Sequence, residues 1–171
     1  MLLKLAGAVL IIAGTTFLGR ERAECFLLRA KELRLLRQAV LLLEGEIGYT
    51  LTLLPEALRR VADNSDEPVK NLLRQTADKL QKGQNAALAW TASLEEARSD
   101  FSLKLSDWEI LRRLGSSLGL LDCTSQLKQL ALTREYLLKQ EEEAKIEGEK
   151  KAYLWRYFGT ALGFMLVILF F

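Results

Sequence analysis

Leu33-Arg34-Leu35-Leu36-Arg37-Gln38-Ala39-Val40-Leu41-Leu42-Leu43-Glu44-Gly45-Glu46-Ile47 is the stretch whose reading decides the fold. Leu33, Leu36, Val40, Leu43 and Ile47 recur at steps of three and four, so on an α-helix they form one continuous apolar stripe. Leu28, Leu35 and Leu42 widen that stripe. From Glu21 to about Tyr49 there is no proline and no turn cluster, which predicts one long helix. Gly45 and Gly48 sit near its end. Each is either a close-packing point or a weak point costing about 1 kcal/mol against alanine.

Outward from this helix the chain reads as further helices with legible punctuation. Leu53-Leu54-Pro55-Glu56-Ala57-Leu58 restarts it, with Pro55 in a first turn where its missing N–H is not needed. Glu56 then lies near the positive helix end. This second helix is short, to about Ala62, and Asp63-Asn64-Ser65-Asp66 is a turn cluster. Pro68 opens a third helix with Val69, Leu72, Leu73, Ala77 and Leu80 inward, stopped by Gly83. Asn85 caps a fourth, with Ala86, Leu88, Ala89, Trp90 and Leu94 available for packing. Ser106-Asp107-Trp108-Glu109 has the form of a capping box. It predicts a fifth helix with Trp108, Leu111, Leu114 and Leu118 inward, ending near Gly119. Asp122 or Thr124 caps a last helix, whose apolar face is read as Leu127, Leu130, Tyr136, Leu137 and Leu138. Gln140 to Lys151 pairs Glu141 with Lys145 and Glu147 with Lys151 along a solvated stalk.

Both ends of the chain are apolar. Tyr157 to Phe171 carries no charge, and Leu2 to Leu18 carries only Lys4. As a helix the last fifteen residues run roughly 22 Å at ~1.5 Å per residue, a little short of a bilayer core of about 30 Å. Tyr153, Leu154 and Trp155 extend the stretch with the residues favoured at membrane interfaces. Lys150, Lys151 and Arg156 are placed to snorkel toward headgroups. The competing readings are a cleaved signal peptide at the start and buried core helices at either end. Arg20, Arg22, Arg29, Lys31 and Arg34 follow the first segment, and Lys145, Lys150, Lys151 and Arg156 precede the second. Positive charge stays on the cytoplasmic side, so a membrane hairpin with a cytoplasmic middle is expected. Gly7 and Gly14, and Gly159 and Gly163, would let the spans approach each other closely. The domain reading is therefore an N-terminal transmembrane helix at 1–19, a cytoplasmic helical bundle at 20–156 and a C-terminal transmembrane helix at 157–171. The fold class is all-α: an antiparallel bundle of about six helices, its first and last helices continuous with the membrane spans.

Composition narrows the chemistry. The chain has 171 residues, 24 basic and 22 acidic, and these are mixed along its length without a basic tract; nothing argues for nucleic acid. There is no histidine, which removes the commonest general base and metal ligand and any Ser-His or Cys-His pair. Cys25 and Cys123 are in no metal-ligand spacing and read most simply as free thiols in a reducing compartment. Leu114-Gly115-Ser116-Ser117-Leu118-Gly119 lacks the Lys and the preceding strand of a phosphate loop. Glu141-Glu142-Glu143 fits a solvated helix face better than a metal site, and Trp90 and Trp108 fit a core better than a ligand platform. No enzyme, metal or cofactor is expected.

Several stretches together carry a resemblance. They are Leu3-Lys4-Leu5-Ala6-Gly7-Ala8-Val9-Leu10-Ile11; Glu44-x-Glu46-Ile47-x-Tyr49 with Leu54-Pro55-Glu56-Ala57-Leu58; Leu114 to Gly119; and Lys151-x-x-x-Trp155-Arg156-Tyr157-x-Gly159. In this order, over nearly the whole chain, they resemble the stage III sporulation protein AB family of endospore-forming bacteria. One departure falls after Gly119. The family usually carries Ser-Asp-Arg-Glu and then Gln, whereas this chain has Leu121-Asp122-Cys123-Thr124-Ser125-Gln126. Asp122 and Gln126 are kept, but a contact made by the Arg and Glu cannot be carried over.

That family is similar in turn to the F-type inner-membrane platform proteins of type II secretion and type IV pilus machines. Leu54-Pro55-Glu56-Ala57-Leu58 and Leu80-x-x-Gly83 running into Ala89-Trp90 carry this second likeness. The resemblance implies a non-catalytic scaffold in the channel-like assembly between mother cell and forespore, in the mother-cell membrane around the forespore. A cytoplasmic secretion-type ATPase and other subunits of the complex are the implied partners, beside membrane lipid. The surface expected to dock a partner comprises Glu44, Glu46, Tyr49, Pro55, Glu56, Asp122 and Gln126; ordinary helix-end packing would use the same residues. Self-association stays open, as a two-fold dimer or otherwise. The alternatives are a pore-forming protein and a two-span tether with a helical interaction domain. Almost no polar residue lies in the spans beyond Thr15, Thr16 and Thr160 to line a pore.

Overall fold

The computed structural model describes residues 26–49, 52–119 and 122–170, with Arg156 and most residues beyond Phe158 in backbone only. All regular structure among them is helical. The helices are α1 at 26–48, α2 at Leu54–Asp63, α3 at Val69–Gln81, α4 at Ala86–Glu96, α5 at Leu105–Ser117 and α6 at Cys123–Phe170. A short 3₁₀ turn at Ala97–Asp100 prolongs α4. The chain divides into two compact units, Lys31–Glu142 and the pair Met1–Ala30 with Glu143–Phe171.

Within Lys31–Glu142, α1 and the first part of α6 lie antiparallel. Residue numbers rise along one as they fall along the other: Arg37 meets Glu141 at 2.7 Å, Glu44 meets Arg134 at 3.3 Å, and Gly48 faces Leu127. The expected stripe of Leu33, Leu36, Val40, Leu43 and Ile47 is buried throughout, joined by Ala39. Leu28 and Leu42 do not widen it; both are largely exposed. They lie too far around the helix from the stripe's centre. On α6 the buried positions of this unit are Gln126, Leu130, Thr133 and Leu137, a stripe at four, three and four. Tyr136 and Leu138, read from sequence as part of that face, point outward.

The four short helices pack in sequence, α2 on α3, α3 on α4 and α4 on α5. Each bears the apolar face its spacing foretells: Ala57, Leu58, Val61 and Ala62; Val69, Leu72, Leu73 and Ala77; Ala89, Trp90 and Leu94; Trp108, Leu111 and Leu114. Leu88 is the exception, exposed on the far side of α4. Ion pairs lace the rims, Arg59 to Asp78 and Arg74 to Asp63 between α2 and α3, and Arg112 to Glu95 between α5 and α4. These are exposed pairs that contribute little each. In the core, the Trp90 indole N–H donates to the Leu111 carbonyl at 2.7 Å, which satisfies the one polar atom of a buried ring. Phe101 packs edge-on to Trp108, centroids 5.8 Å apart.

The helix ends follow local chemistry. Pro55 stands in the first turn of α2, and the Asn85 side chain accepts from the Ala87 amide at 2.9 Å. Gly83 has φ +84°, the left-handed conformation that ends a helix most easily with glycine. Helix α5 begins earlier than Ser106 suggests. Lys104 is its N-cap, and the buried Asp107 carboxylate accepts from the Lys104 amide at 2.9 Å. Asp122 caps α6, its two oxygens accepting from the amides of Thr124 and Ser125 at 3.2 and 3.1 Å.

In the other unit, the first residues of α1 pack along α6. Gly148 lies where an added Cβ would stand 2.6 Å from the Phe26 carbonyl oxygen. Ala144 and Ala152, four residues to either side, are buried. Small residues at this spacing let two helices come close. Arg29 reaches Glu147 at 3.8 Å, and Phe26 stacks near Trp155 with centroids 6.4 Å apart. The Lys151 ammonium stands 5.8 Å over the Phe26 ring, within cation–π range. Glu141 and Glu147 thus pair with arginines of α1, and the stalk expected from sequence is solvated on one side only. Among the described residues, no helix is long and apolar enough to cross a membrane. The segment 1–19 lies outside the described residues.

Two measurements test this packing. A methyl at Gly115 would overlap the Trp90 ring, so Gly115→Ala should lower the unfolding free energy by about 1–3 kcal/mol through overpacking. At Gly45 a methyl would meet open space, so Gly45→Ala should raise it by about 0.5–1 kcal/mol through helix propensity; urea titration reads both. The second concerns the α6 cap. The Ser125 hydroxyl and amide hold the Asp122 carboxyl below the usual aspartate range. A carboxyl depressed on folding adds stability above its unfolded pKa and loses it as pH falls through the folded one. Asp122→Ala should therefore lower the urea midpoint at pH 7, and the gap to the parent chain should close in acid as Asp122 protonates.

Candidate functional site

The seven residues expected to form a docking surface fall at one end of the Lys31–Glu142 unit, where α1 ends, α2 starts and α6 starts. They do different work there. Glu46, late on α1, accepts from Thr52 Oγ1 at 3.3 Å and from Arg60 Nη1 at 3.4 Å. Arg60 also donates through Nη2 to Glu56 at 2.7 Å. One guanidinium thus bridges carboxylates from α1 and α2, and Glu56 with Glu46 holds its proton more tightly than usual. Pro55 is half-buried in the first turn of α2. Tyr49 follows α1 and is 92% exposed, while Leu53 precedes α2 and is 77% exposed.

Glu44 turns instead toward α6. It pairs with Arg134, yet Glu44 Oε1 and Arg134 Nε are both buried without a hydrogen-bond partner. Asp122 is the α6 cap, and Gln126 is buried one turn later. The structure therefore brings Glu46, Glu56, Tyr49 and Pro55 together on the α1–α2 connection, and gives Glu44, Asp122 and Gln126 structural surroundings of their own. Gly7 and Gly14 lie outside the described residues. Gly159 and Gly163 lie in α6, where only the backbone is described.

Three residues were not singled out from sequence. Arg60 could have been found from its i,i+4 spacing to Glu56. Leu53 was read only as the start of a helix. Glu32 had no signal at all, being a charged residue within a buried stripe. Its carboxylate accepts from the Ser102 amide at 2.7 Å, tying the loop before α5 to α1. Burial pushes its pKa up, against that hydrogen bond. A separate shallow depression of ≈ 400 Å³ is lined by Arg37 of α1 and by Lys128, Ala131, Leu132, Arg134, Glu135 and Leu138 of α6.

None of these groupings has the elements of a catalytic constellation. Both carboxylates of the cluster are held by Arg60, and the Cys123 thiol is free, with the Ile47 carbonyl 4.0 Å away. Among the described residues, no group of three metal-ligating side chains converges. What the arrangement offers is an exposed tyrosine and an exposed leucine on the same α1–α2 connection as the Glu46–Arg60–Glu56 bridge.

Comparison with known proteins agrees with the resemblance read from the motifs. The profile of the family described as "Stage III sporulation protein AB" matches residues 4–171. Stage III sporulation protein AB of Bacillus subtilis (strain 168) is 36% identical over 169 residues, covering 98% of this chain and 99% of that protein. A solved structure of stage III sporulation protein AB (SpoIIIAB) superposes with a TM-score of 0.66 at 36% identity, covering 70% of this chain and 95% of the other. The helical fold, the near full-length match and the motifs at both ends lead to one assignment: the chain belongs to the stage III sporulation protein AB family.

Proposed function

We propose that this protein is a non-catalytic, membrane-anchored platform subunit of a secretion-like channel complex between mother cell and forespore. Its two apolar ends anchor it as a hairpin, its helical domain lies in the cytoplasm, and the α1–α2 end docks a secretion-type ATPase. The observation that carries the anchoring is a belt of exposed aromatics. Tyr153, Trp155, Tyr157 and Phe158 are each between 46% and 67% exposed, and Leu154 lies among them. Such a patch is costly in water and suited to a membrane interface. It straddles the start of the uncharged run from Tyr157 to Phe171. Packing of Phe26 near Trp155 supports the hairpin, because it brings the start of α1 beside the approach to that run.

Docking is favoured by the Tyr49–Leu53 patch. Tyrosine and arginine are the residue types enriched at binding hot spots, and here an exposed Tyr49 and the half-exposed Arg60 belong to the α1–α2 end, with Leu53 as added apolar surface. Tyr49 and Leu53 can both be changed without touching the core. Pull-down of the full chain from sporulating cells should recover a secretion-type ATPase. The double variant Tyr49→Ala with Leu53→Asp should reduce recovery at least about tenfold, the loss expected of a hot-spot pair. Equal recovery from the variant, or no ATPase with the folded parent chain, would contradict the proposal.

A further inference from the structure

Among the described residues, nothing covers the outward face of α1. Opposite the buried stripe run Lys31, Arg34, Gln38, Leu41, Leu42 and Gly45. All are exposed except Gly45, which is half-exposed. Their spacing repeats one pattern. Gln38, Leu41, Leu42 and Gly45 stand at i, i+3, i+4 and i+7, the four corners that surround one knob of a facing helix in a coiled coil. Lys31 and Arg34 begin a second hole, seven residues earlier, that ends on Gln38.

Two features say what fills these holes. First, no described residue of the chain requires a glycine at position 45. Gly48 and Gly148 are pressed by Leu127 and Phe26, but a Cβ at Gly45 would meet nothing within 4 Å. A helical glycine is unfavourable against alanine, and here it leaves one corner of an apolar hole open. That corner has room for a large side chain from outside. Second, the charges of the other hole are unspent. Arg29 and Arg37 on the same helix are paired with Glu147 and Glu141. Lys31 and Arg34 have no ion-pair partner among the described residues. A second copy packed in parallel would set these cations against their own counterparts, and one packed antiparallel would offer them only Leu41, Leu42 and Gly45 of the same face, so charge favours a different partner, of opposite sign.

We infer that the outward face of α1 receives an amphipathic helix of another subunit, carrying a large apolar side chain and a carboxylate seven residues apart. The apolar side chain sits in the Gln38–Gly45 hole against Leu41 and Leu42, and the carboxylate lies between Lys31 and Arg34. This goes beyond ATPase docking at the α1–α2 end and does not need it.

The test is photo-crosslinking in sporulating cells. A benzophenone amino acid replaces Gln38 in the full chain, with Arg113 on the exposed face of α5 as the control position. Crosslinked peptides are sequenced by mass spectrometry. Position 38 should yield one peptide from another protein with Asp or Glu seven residues from a large apolar residue; position 113 should not. Adding Gly45→Leu, which fills the hole from this side, should cut the crosslink at least about tenfold, a loss on the scale of a hot-spot residue. The thermal midpoint should stay equal or rise, which separates lost docking from lost folding. Tyr49→Ala with Leu53→Asp should leave the crosslink in place, which separates this surface from the ATPase reading. A crosslink to a second copy, to lipid, to a peptide without that pattern or to nothing would overturn the inference, as would a crosslink indifferent to Gly45→Leu.

Discussion

The antiparallel contact of α1 with α6 is the constraint on which the Lys31–Glu142 unit depends. It joins residues about a hundred positions apart and encloses Leu33, Leu36, Val40 and Leu43 with Leu130 and Leu137, all nearly inaccessible to water. Each fully buried leucine contributes on the order of 2 kcal/mol relative to exposure, so this seam outweighs any of the surface ion pairs. The charges along it serve register more than stability. Arg37–Glu141 and Glu44–Arg134 are partly buried pairs. The second leaves Glu44 Oε1 and Arg134 Nε without hydrogen bonds. Such a pair repays little of its desolvation, but a shift of one turn would break both pairs and turn Gly48 away from Leu127.

How far the sequence could be read follows from what each signal depends on. The α1 stripe, the glycine stop at Gly83, the Asn85 cap and the Asp122 cap depend on neighbours a few residues away, and all appear where local chemistry places them. Signals that depend on distant packing were legible only in part. Leu42, Leu88 and Leu138 are apolar and helical, yet which of several leucines turns inward is settled by where the next helix lies. Glu141 has Lys145 one turn on but pairs with Arg37, because a partner across the seam is held in place by packing. Ser106 has the form of a cap, yet the helix starts at Leu105, since the buried Asp107 reaches back to the Lys104 amide. At the candidate site, the Glu46–Arg60–Glu56 bridge needs α1 and α2 to meet, which no local pattern encodes.

Among the described residues of this family member, ion pairs sit at the helix rims and a number of large apolar side chains face outward. Some carboxylates pair with arginine, as Glu141 and Asp63 do, and Asp122 caps a helix. The outward-facing apolar side chains collect in distinct places: the aromatic belt at the start of the final apolar run, the Tyr49–Leu53 patch and the outward face of α1.

The most direct measurement of the seam is a disulfide placed across it. In a chain with Cys25 and Cys123 replaced by serine, Gly48→Cys and Leu127→Cys should oxidise readily to one intramolecular bond, with unchanged helicity and a raised urea midpoint. The same Gly48→Cys paired with Ala131→Cys, one turn further along α6, should not. Faster bonding of the slipped pair, or loss of helicity on forming the first, would contradict the antiparallel register of α1 and α6.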